Sequence, residues 1–490
     1  MNFLNINLKS IFVENKHNNN AYDNVYLDHA AATPIDDEVI KSMHEAESLY
    51  ANPSGIYRMG VEAKNKIEES RKIISDILNC ASQEIIFAGS GTESLNMGLI
   101  GYVENYLKEN ENKNAKSVPV KTSIPTIITS NIEHSAVLNP VLHLESKGLV
   151  KIKYLEVDET GRVDENHLRE ILKNSGSENK DNIILVSIMY ANNETGRLQP
   201  VKEIGRIIDL HNAGISSSSA REARAGNERN NFKNKIAYHI DAMQAGNYLD
   251  LDIKKLRADM LSINGCKTYG PKGVGLLYKN KSINITPIIL GGGQERGLRS
   301  GTEDVVKIVG LAHALKIAKE KRDIEIVRML DLQNYFLEKV KKEIPEIKIY
   351  THKNNVNKII NKKENILNSW LKNSFNKINK GNLAVDNNKI SARINYFNLE
   401  SLPNNINIGL PGILSDEMVI RLDYKGFCVS HKSACSSNEI GEGSYVLRAM
   451  GASEKESNEN IRITMGRTTT KRDLEKLIEN IKEIYYKYKI

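Results

Sequence analysis

A chain of 490 residues exceeds one typical core, so two domains are expected, with enough buried surface for a stable α/β body. Hydrophobic residues make up 40% and charged residues 26%, ordinary for a globular protein, and with no long apolar run the composition excludes a membrane span. The net charge of +7 is carried by lysines scattered among asparagines instead of gathered on one stripe, so no direct nucleic-acid partner is expected.

Residues 1–23 read as an N-terminal extension. Phe3, Leu4, Ile6, Leu8, Ile11 and Phe12 are mixed there with Asn and Lys, which gives neither a continuous apolar segment nor the arginines of a transit peptide. The four cysteines, Cys80, Cys266, Cys428 and Cys435, show no CxxC spacing and are too few to staple a chain of this length. A reducing compartment and the cytoplasm follow as expectations, and no metal is assigned.

From about residue 84, short β-branched runs alternate with helical patterns. Strands are expected at Glu84–Ala88, Thr126–Ser130, Val150–Val157, Asn182–Ala191, Ile236–Asp241 and Asp259–Ile263. Helices are expected at Val61–Asn79, Glu93–Leu107, Ala136–Ser146 and Val201–His211, where apolar residues recur every three or four positions. This is the rhythm of a mainly parallel sheet covered by helices. A long helical pattern, Asp304–Glu343, bridges to a second region that ends in a helix at Lys471–Tyr488. Three polar, asparagine-rich stretches, about 108–124, 212–235 and 353–400, break the rhythm and read as surface insertions, which cost little closure entropy. Within the third, Ile366, Leu367, Trp370, Leu371 and Ile378 fall near one helical face, fitting a helix that caps the second region or a partner-docking element.

The segment Ser262–Gly273 carries Lys267 just before a Gly270-Pro271-Lys272-Gly273 turn. A lysine amine becomes useful for covalent catalysis by condensing with an aldehyde, and a rigid turn after it suits the bulky ring of pyridoxal phosphate (PLP). Such a cofactor also needs a carboxylate at its pyridine nitrogen, a donor for its phenolic oxygen, a flat group over the ring and an anion site for its phosphate. Asp241 closes an expected strand and would hold the pyridinium proton, with Gln244 facing the phenolic oxygen. The turn Gly89-Ser90-Gly91-Thr92-Glu93-Ser94 joins a strand to a helix, so Gly91 and Thr92 would present backbone N–H groups to the phosphate. His134 ends another strand and would stack on the ring or move protons. Taken singly, each residue also fits a plainer role: an exposed turn lysine, a helix-capping aspartate, a small-residue cap, a structural histidine.

These segments do not stand alone. Tyr26-Leu27-Asp28-His29-Ala30-Ala31-Ala32-Thr33-Pro34, Asn52-Pro53-Ser54, Glu133-His134, Asn192-Asn193-Glu194-Thr195-Gly196, the run Gly291–Thr302 and Ser433-Ala434-Cys435-Ser436-Ser437 accompany them. In that order the chain resembles the cysteine desulfurases of the NifS/IscS type, from about residue 24 to its C-terminus outside the three insertions. The resemblance implies the α/β fold of fold-type I, class-V aminotransferase-like PLP enzymes. That means a large domain, 24–305, with a mainly parallel seven-stranded sheet between helices, and a smaller α+β domain, 306–490, carrying the cysteine loop. It implies that Cys435 is the nucleophile that takes sulfur from L-cysteine as a persulfide, leaving alanine, and that Arg462 grips the substrate carboxylate. It places Asn193 beside the phenolic oxygen and substrate, and Thr302 against the phosphate bound in the neighbouring subunit of a homodimer. A sulfur-acceptor protein, an Fe–S scaffold or a tRNA-thiolation enzyme, is the implied partner.

Some positions depart from that pattern. The family has a serine and a histidine near the phosphate where this chain has Asn264 and Cys266, and a thiol is a poor donor without positive charge. Phosphate binding then leans on Gly91, Thr92 and Thr302, and His134 remains the main proton carrier beside Lys267. The interval from Asn193 to Asp241 is lengthened by the second insertion, which must bulge outward if both ends reach one site. Two other readings stand beside desulfuration: a related class-V enzyme such as a selenocysteine lyase or aminotransferase, and a non-catalytic scaffold that has lost its cofactor.

Overall fold

The computed structural model describes residues 24–114, 123–174, 181–214, 235–351, 354, 399–432 and 443–489. Most of the three expected insertions, the helical face Ile366–Ile378, the extension 1–23 and Cys435 lie outside them.

Twelve strands are described, in chain order β1 (Val25–Tyr26), β2 (Ile85–Ala88), β3 (Pro125–Ser130), β4 (Lys151–Leu155), β5 (Asn182–Met189), β6 (Ala237–Asp241), β7 (Met260–Asn264), β8 (Gly275–Lys279), β9 (Lys348–Ile349), β10 (Asn405–Gly409), β11 (Phe427–Cys428) and β12 (Asn460–Thr464). Seven of them form the central sheet in the order β2-β8-β7-β6-β5-β3-β4. Only β8 runs against its neighbours β2 and β7, so the other six point the same way and the sheet is mainly parallel, as expected.

Both faces of this sheet are covered. Ile85 and Phe87 pack into one core with Ile74 and Leu78 of the helix Arg58–Leu78 and Leu311 and Leu315 of the helix Val305–Glu343. Ile86 and Ala88 turn to the other face, against Leu95 and Leu99 of the helix Gly91–Asn114 and Val137 and Val141 of the helix Ser135–Ser146. Alternate residues of one strand thus serve two cores, which is why these strands read as continuous apolar runs instead of alternating ones.

The strand β8 was not among the expected ones. The helix beginning at Gly91 also runs to Asn114, past the expected end at Leu107 and into the first expected insertion. Side chains four apart sustain its extra turns: Asn105 Nδ2 donates to Glu109 Oε1 (2.9 Å) and Asn110 Nδ2 to the Tyr106 carbonyl (2.8 Å).

The helix Val305–Glu343 starts where the Asp304 side chain accepts from Lys307 N (3.0 Å) and runs for 39 residues, matching the expected bridge. Beyond it, β12-β10-β9 form a small antiparallel sheet whose core includes the helix Lys471–Tyr488. The chain start joins this C-terminal region: β1 pairs in parallel with β11, and Asp28 bridges Thr464. Among the described residues, no helix is long and apolar enough to cross a membrane.

Candidate active site

The parallel strands deliver their C-terminal ends to one cavity. It measures about 400 Å³ including its open mouth, and its lining includes Gly91, Thr92, His134, Asn193, Asp241, Gln244, Asn264 and Lys267. Eight residues singled out in the sequence are therefore neighbours in space, together with the unanticipated Leu95, Ala136, Met189, Ala191 and Met243. Strand ends gather at this edge because the connecting loops, free of ladder hydrogen bonds, can turn their side chains inward.

Each side chain is held by its local fold. Lys267 follows β7 in a loop that closes on itself: Gly265 N donates to the Val274 carbonyl (3.0 Å) and Gly270 N to that of Gly265 (3.0 Å). A Cβ on Gly265 would lie 2.5 Å from the Pro271 carbonyl oxygen, so this tight closure requires glycine. Asn247 Nδ2 grips the Lys267 carbonyl (2.8 Å), and Thr33 N grips that of Cys266 (2.8 Å). Cys266 itself is half-buried and does not line the cavity.

Asp241 ends β6, and its Oδ1 accepts from Met243 N (2.9 Å), so the plainer capping role is present too. Its other oxygen has no hydrogen-bond partner among the described residues. Burial raises the Asp241 carboxyl above its ordinary value, with the Met243 amide and the charge of Lys267 acting against the rise. His134 caps the helix Ser135–Ser146, its Nδ1 accepting from Ala136 N (3.0 Å). Burial first, then the charges of Lys267 and Arg462, push its pKa down to about 4. At neutral pH the ring is therefore uncharged, with its proton on Nε2, which suits a flat stacking group better than a cationic acid. Gln244 Nε2 spends one N–H on the Ala30 carbonyl (2.9 Å), which leaves its second for a cavity partner.

The turn after β2 is closed by the side chains of Ser90 and Glu93. Glu93 N donates to Ser90 Oγ (3.0 Å), and Glu93 Oε2 accepts from Gly89 N (3.0 Å). These bonds use the amides of Gly89 and Glu93, and leave those of Gly91 and Thr92, at the positive end of the helix dipole, for an anion. The backbone comes close here: a Cβ on Gly91 would sit 2.7 Å from Met243 Sδ.

Arg462, on β12, does not line the cavity but reaches its wall, donating through Nη1 to the Asn193 carbonyl (3.1 Å). Its Nη2 pairs with Asp28 Oδ1 (2.7 Å), a partner that no sequence spacing announced across the length of the chain. Its Nε, like Asn193 Oδ1 and Asn264 Oδ1, is buried without a hydrogen-bond partner. Orphaned buried polar atoms around a cavity that also holds an amine, a carboxylate and two spare amides fit a polar, anionic aromatic ligand. PLP and an amino acid carboxylate have that chemistry, so the residues present fit the group.

Thr302 is exposed and not part of this cavity. The ends of the segment that contains Cys435 are fixed near the site: Ser430 bridges Arg462, Ser444 Oγ donates to Glu194 Oε2 (2.5 Å), and Tyr445 Oη donates to the Glu133 carbonyl (2.6 Å). Of the other thiols, burial and then Glu84 and Asp76 push Cys80 up to about 12, and burial, Asp423 and Asp28 raise Cys428. Both are poor nucleophiles near neutral pH.

Glu133, behind His134, is fully buried. Burial pushes its carboxyl up to about 8, Asp241 adding to the rise and hydrogen bonds from Ser130 Oγ (2.6 Å) and Met189 N (3.1 Å) opposing it. The unfolded chain releases this proton near 4.5, the folded one near 8, so the group's stabilising contribution is full below 4.5 and is lost as pH rises through 8. In Glu133→Gln this dependence disappears. The melting temperature of the variant relative to the parent is expected to climb between about pH 5 and pH 8, by the equivalent of a few kcal/mol. A constant difference across that range would mean that Glu133 is ionised in the folded protein.

The fold and site together define a class, the class-V aminotransferases, whose family model matches residues 25–217 and 228–365. The cysteine desulfurase IscS of Dictyoglomus turgidum is 33% identical over 468 residues, spanning 94% of this chain and 96% of that protein. A solved NifS-like protein superposes with a TM-score of 0.71 at 29% identity, covering 94% of this chain and 99% of its own. SspA, solved in complex with cysteine, does so at 0.62 and 27%, covering 90% and 98%. The chain belongs to the cysteine desulfurase family within the class-V aminotransferases.

Proposed function

We propose that this protein is a PLP-dependent cysteine desulfurase that converts L-cysteine to L-alanine and carries the sulfur away as a persulfide on Cys435. The observation that carries the reading is one cavity lined by Lys267, Asp241, His134, Gly91 and Thr92. The NifS-like and IscS relatives and the cysteine-bound SspA support the substrate.

The bound cofactor would supply an electron sink for the substrate Cα. Around it, Lys267 would provide the amine, the second oxygen of Asp241 would hold a proton on the pyridine nitrogen, and the spare amides of Gly91 and Thr92 would take the phosphate. The neutral His134 ring would be the flat group against the cofactor. Arg462, aimed by Asp28 and the Asn193 carbonyl, keeps its Nε unpartnered for the substrate carboxylate, on a planar group that a lysine would reproduce poorly. In the transfer itself, the Cys435 thiolate attacks the substrate sulfur. An S–S bond forms, the substrate C–S bond breaks, and the carbon receives the electron pair and a proton to become alanine. Cys435 lies three residues beyond Lys432, a span of at most about 10 Å, within reach of a site whose arginine pairs with Ser430.

A homodimer belongs to this proposal. Tyr50, Ile56, Tyr57 and Leu290 expose more than half of their surface, an apolar cost that a second copy would remove. Thr302, outside its own cavity, would then serve the partner's phosphate. The onward acceptor of the persulfide, an Fe–S scaffold or a tRNA-thiolation enzyme, and a cytoplasmic location complete the reading.

Incubation of the PLP-loaded protein with L-cysteine, followed by mass spectrometry of the peptide carrying Cys435, tests it. One added sulfur atom on Cys435 with stoichiometric alanine is the expected result. Alanine without sulfur on that peptide would redirect the reading toward another class-V activity. No PLP uptake at all would favour the scaffold.

A further inference from the structure

The run Gly291–Thr302 is clamped by two ion pairs that the reaction chemistry leaves unexplained, one to the phosphate turn and one to the helix Arg58–Leu78. Arg299 Nε donates to Glu93 Oε1 (2.7 Å), and its Nη2 lies 3.3 Å from Glu93 Oε2. That same carboxylate accepts from Gly89 N, so one side chain holds both the turn and the loop. Arg299 fills the gap between them: a Cβ on Gly89 would lie 3.0 Å from its Nη2, and one on Gly301 3.4 Å from its Nη1. Deeper in, Arg71 grips Glu295 through two contacts (2.8 and 2.7 Å), both side chains being buried. Glu295 also accepts from Phe87 N (2.8 Å) on β2.

The backbone at Glu295 (φ 45°) and Arg296 (φ 59°) is left-handed, a conformation that is costly for a side-chain-bearing residue and persists only where the surroundings fix it. Two ion pairs supply that fixing. The loop beyond them ends at the exposed Thr302, which its own cavity does not use.

We propose that Glu93 and Arg299 are positioning residues that make the phosphate turn of one subunit and the loop it offers to its neighbour a single rigid unit, so that cofactor retention depends on the dimer. This rests on the PLP and dimer reading above. Arg299 acts through Glu93, because its Nε and Nη2 both face that carboxylate. Loosening the pair would let Thr302 drift, and the hydrogen bond it lends across the interface would be lost in both subunits.

The test follows PLP release from the full chain as a function of protein concentration. It compares the parent with Glu93→Gln, which is isosteric, and Arg299→Gln. A hydrogen bond to a charged group corresponds to about tenfold or more in affinity. The parent is expected to release PLP about tenfold faster once diluted below its dimer dissociation constant. The two variants, at high concentration, should already release it about tenfold faster than the parent and change little on dilution. A purely structural role would lower the melting temperature and leave the dilution ratio as in the parent, which would overturn the inference. So would a parent whose PLP release ignores dilution. A parent that takes up no PLP would instead overturn the proposed function, and this inference with it.

Discussion

Replacing Cys435 with alanine is expected to abolish alanine and sulfide production from L-cysteine, by at least about a thousandfold, while the protein keeps its cofactor. The size of the effect follows from the absence of a substitute thiol. Cys80 and Cys428 are held protonated by burial and neighbouring carboxylates, and Cys266, next to Lys267, has its backbone fixed by Thr33 and does not line the cavity. The retained cofactor follows from the site's construction, since every group assigned to PLP is on another segment. The check is paired: turnover by alanine release, and PLP content by absorbance. If the variant retained a tenth of parental turnover, another cysteine or a different chemistry would have to carry the sulfur. If it lost its PLP instead, the segment around Cys435 would be part of the cofactor's binding site.

Replacing Lys267 with alanine is expected to remove both turnover and the absorption band near 400 nm, about the wavelength of PLP linked to a lysine amine. The charge of this lysine is felt at the Asp241 carboxyl on one side of the cavity and at the His134 ring on the other. Its amine is therefore close enough to act on the residues assigned to the pyridine nitrogen and to the ring face, and all three line one cavity. Removal of the amine also removes two electrostatic effects, so burial of Asp241 should raise its carboxyl further and the His134 pKa should recover part of its fall. The variant should still take up PLP reversibly through the amides of Gly91 and Thr92, and release it on dialysis. A persistent 400 nm band in Lys267→Ala would show that another amine makes the link, and would remove the centre of the proposed site.

Much of this was legible before any coordinates. Strands buried on both faces must be apolar at successive positions, so β3, β5, β6 and β7 stood out as β-branched runs. The ends of β3 and β6 pointed to His134 and Asp241, the glycine-bounded turn pointed to Lys267, and Asn193 came from the family resemblance. The strand β8 escaped because Gly275-Leu276-Leu277-Tyr278 has no β-branched residue and follows the lysine turn with no helix between, contrary to the parallel rhythm. The helix from Gly91 was cut short because Lys108–Asn114 is polar on every side and gives no apolar periodicity, while side-chain bonds such as Asn105 to Glu109 support the helix where that stretch begins.

By itself, the sequence determined the chemical types and their order: an amine in a glycine-bounded turn, a carboxylate at a strand end, an amide-rich turn before a helix, and a thiol among small residues. Local geometry and composition suffice for these, because each depends on residues a few positions apart. Only the tertiary structure decided which of them meet and in what state. Asp28 against Arg462, Glu93 against Arg299 and Arg71 against Glu295 join residues hundreds of positions apart, and the neutral His134 and protonated Glu133 owe their charge states to burial. Desolvation and ion pairing act through space over a few ångströms, so they depend on how the chain is folded and leave no mark on the spacing of residues along it.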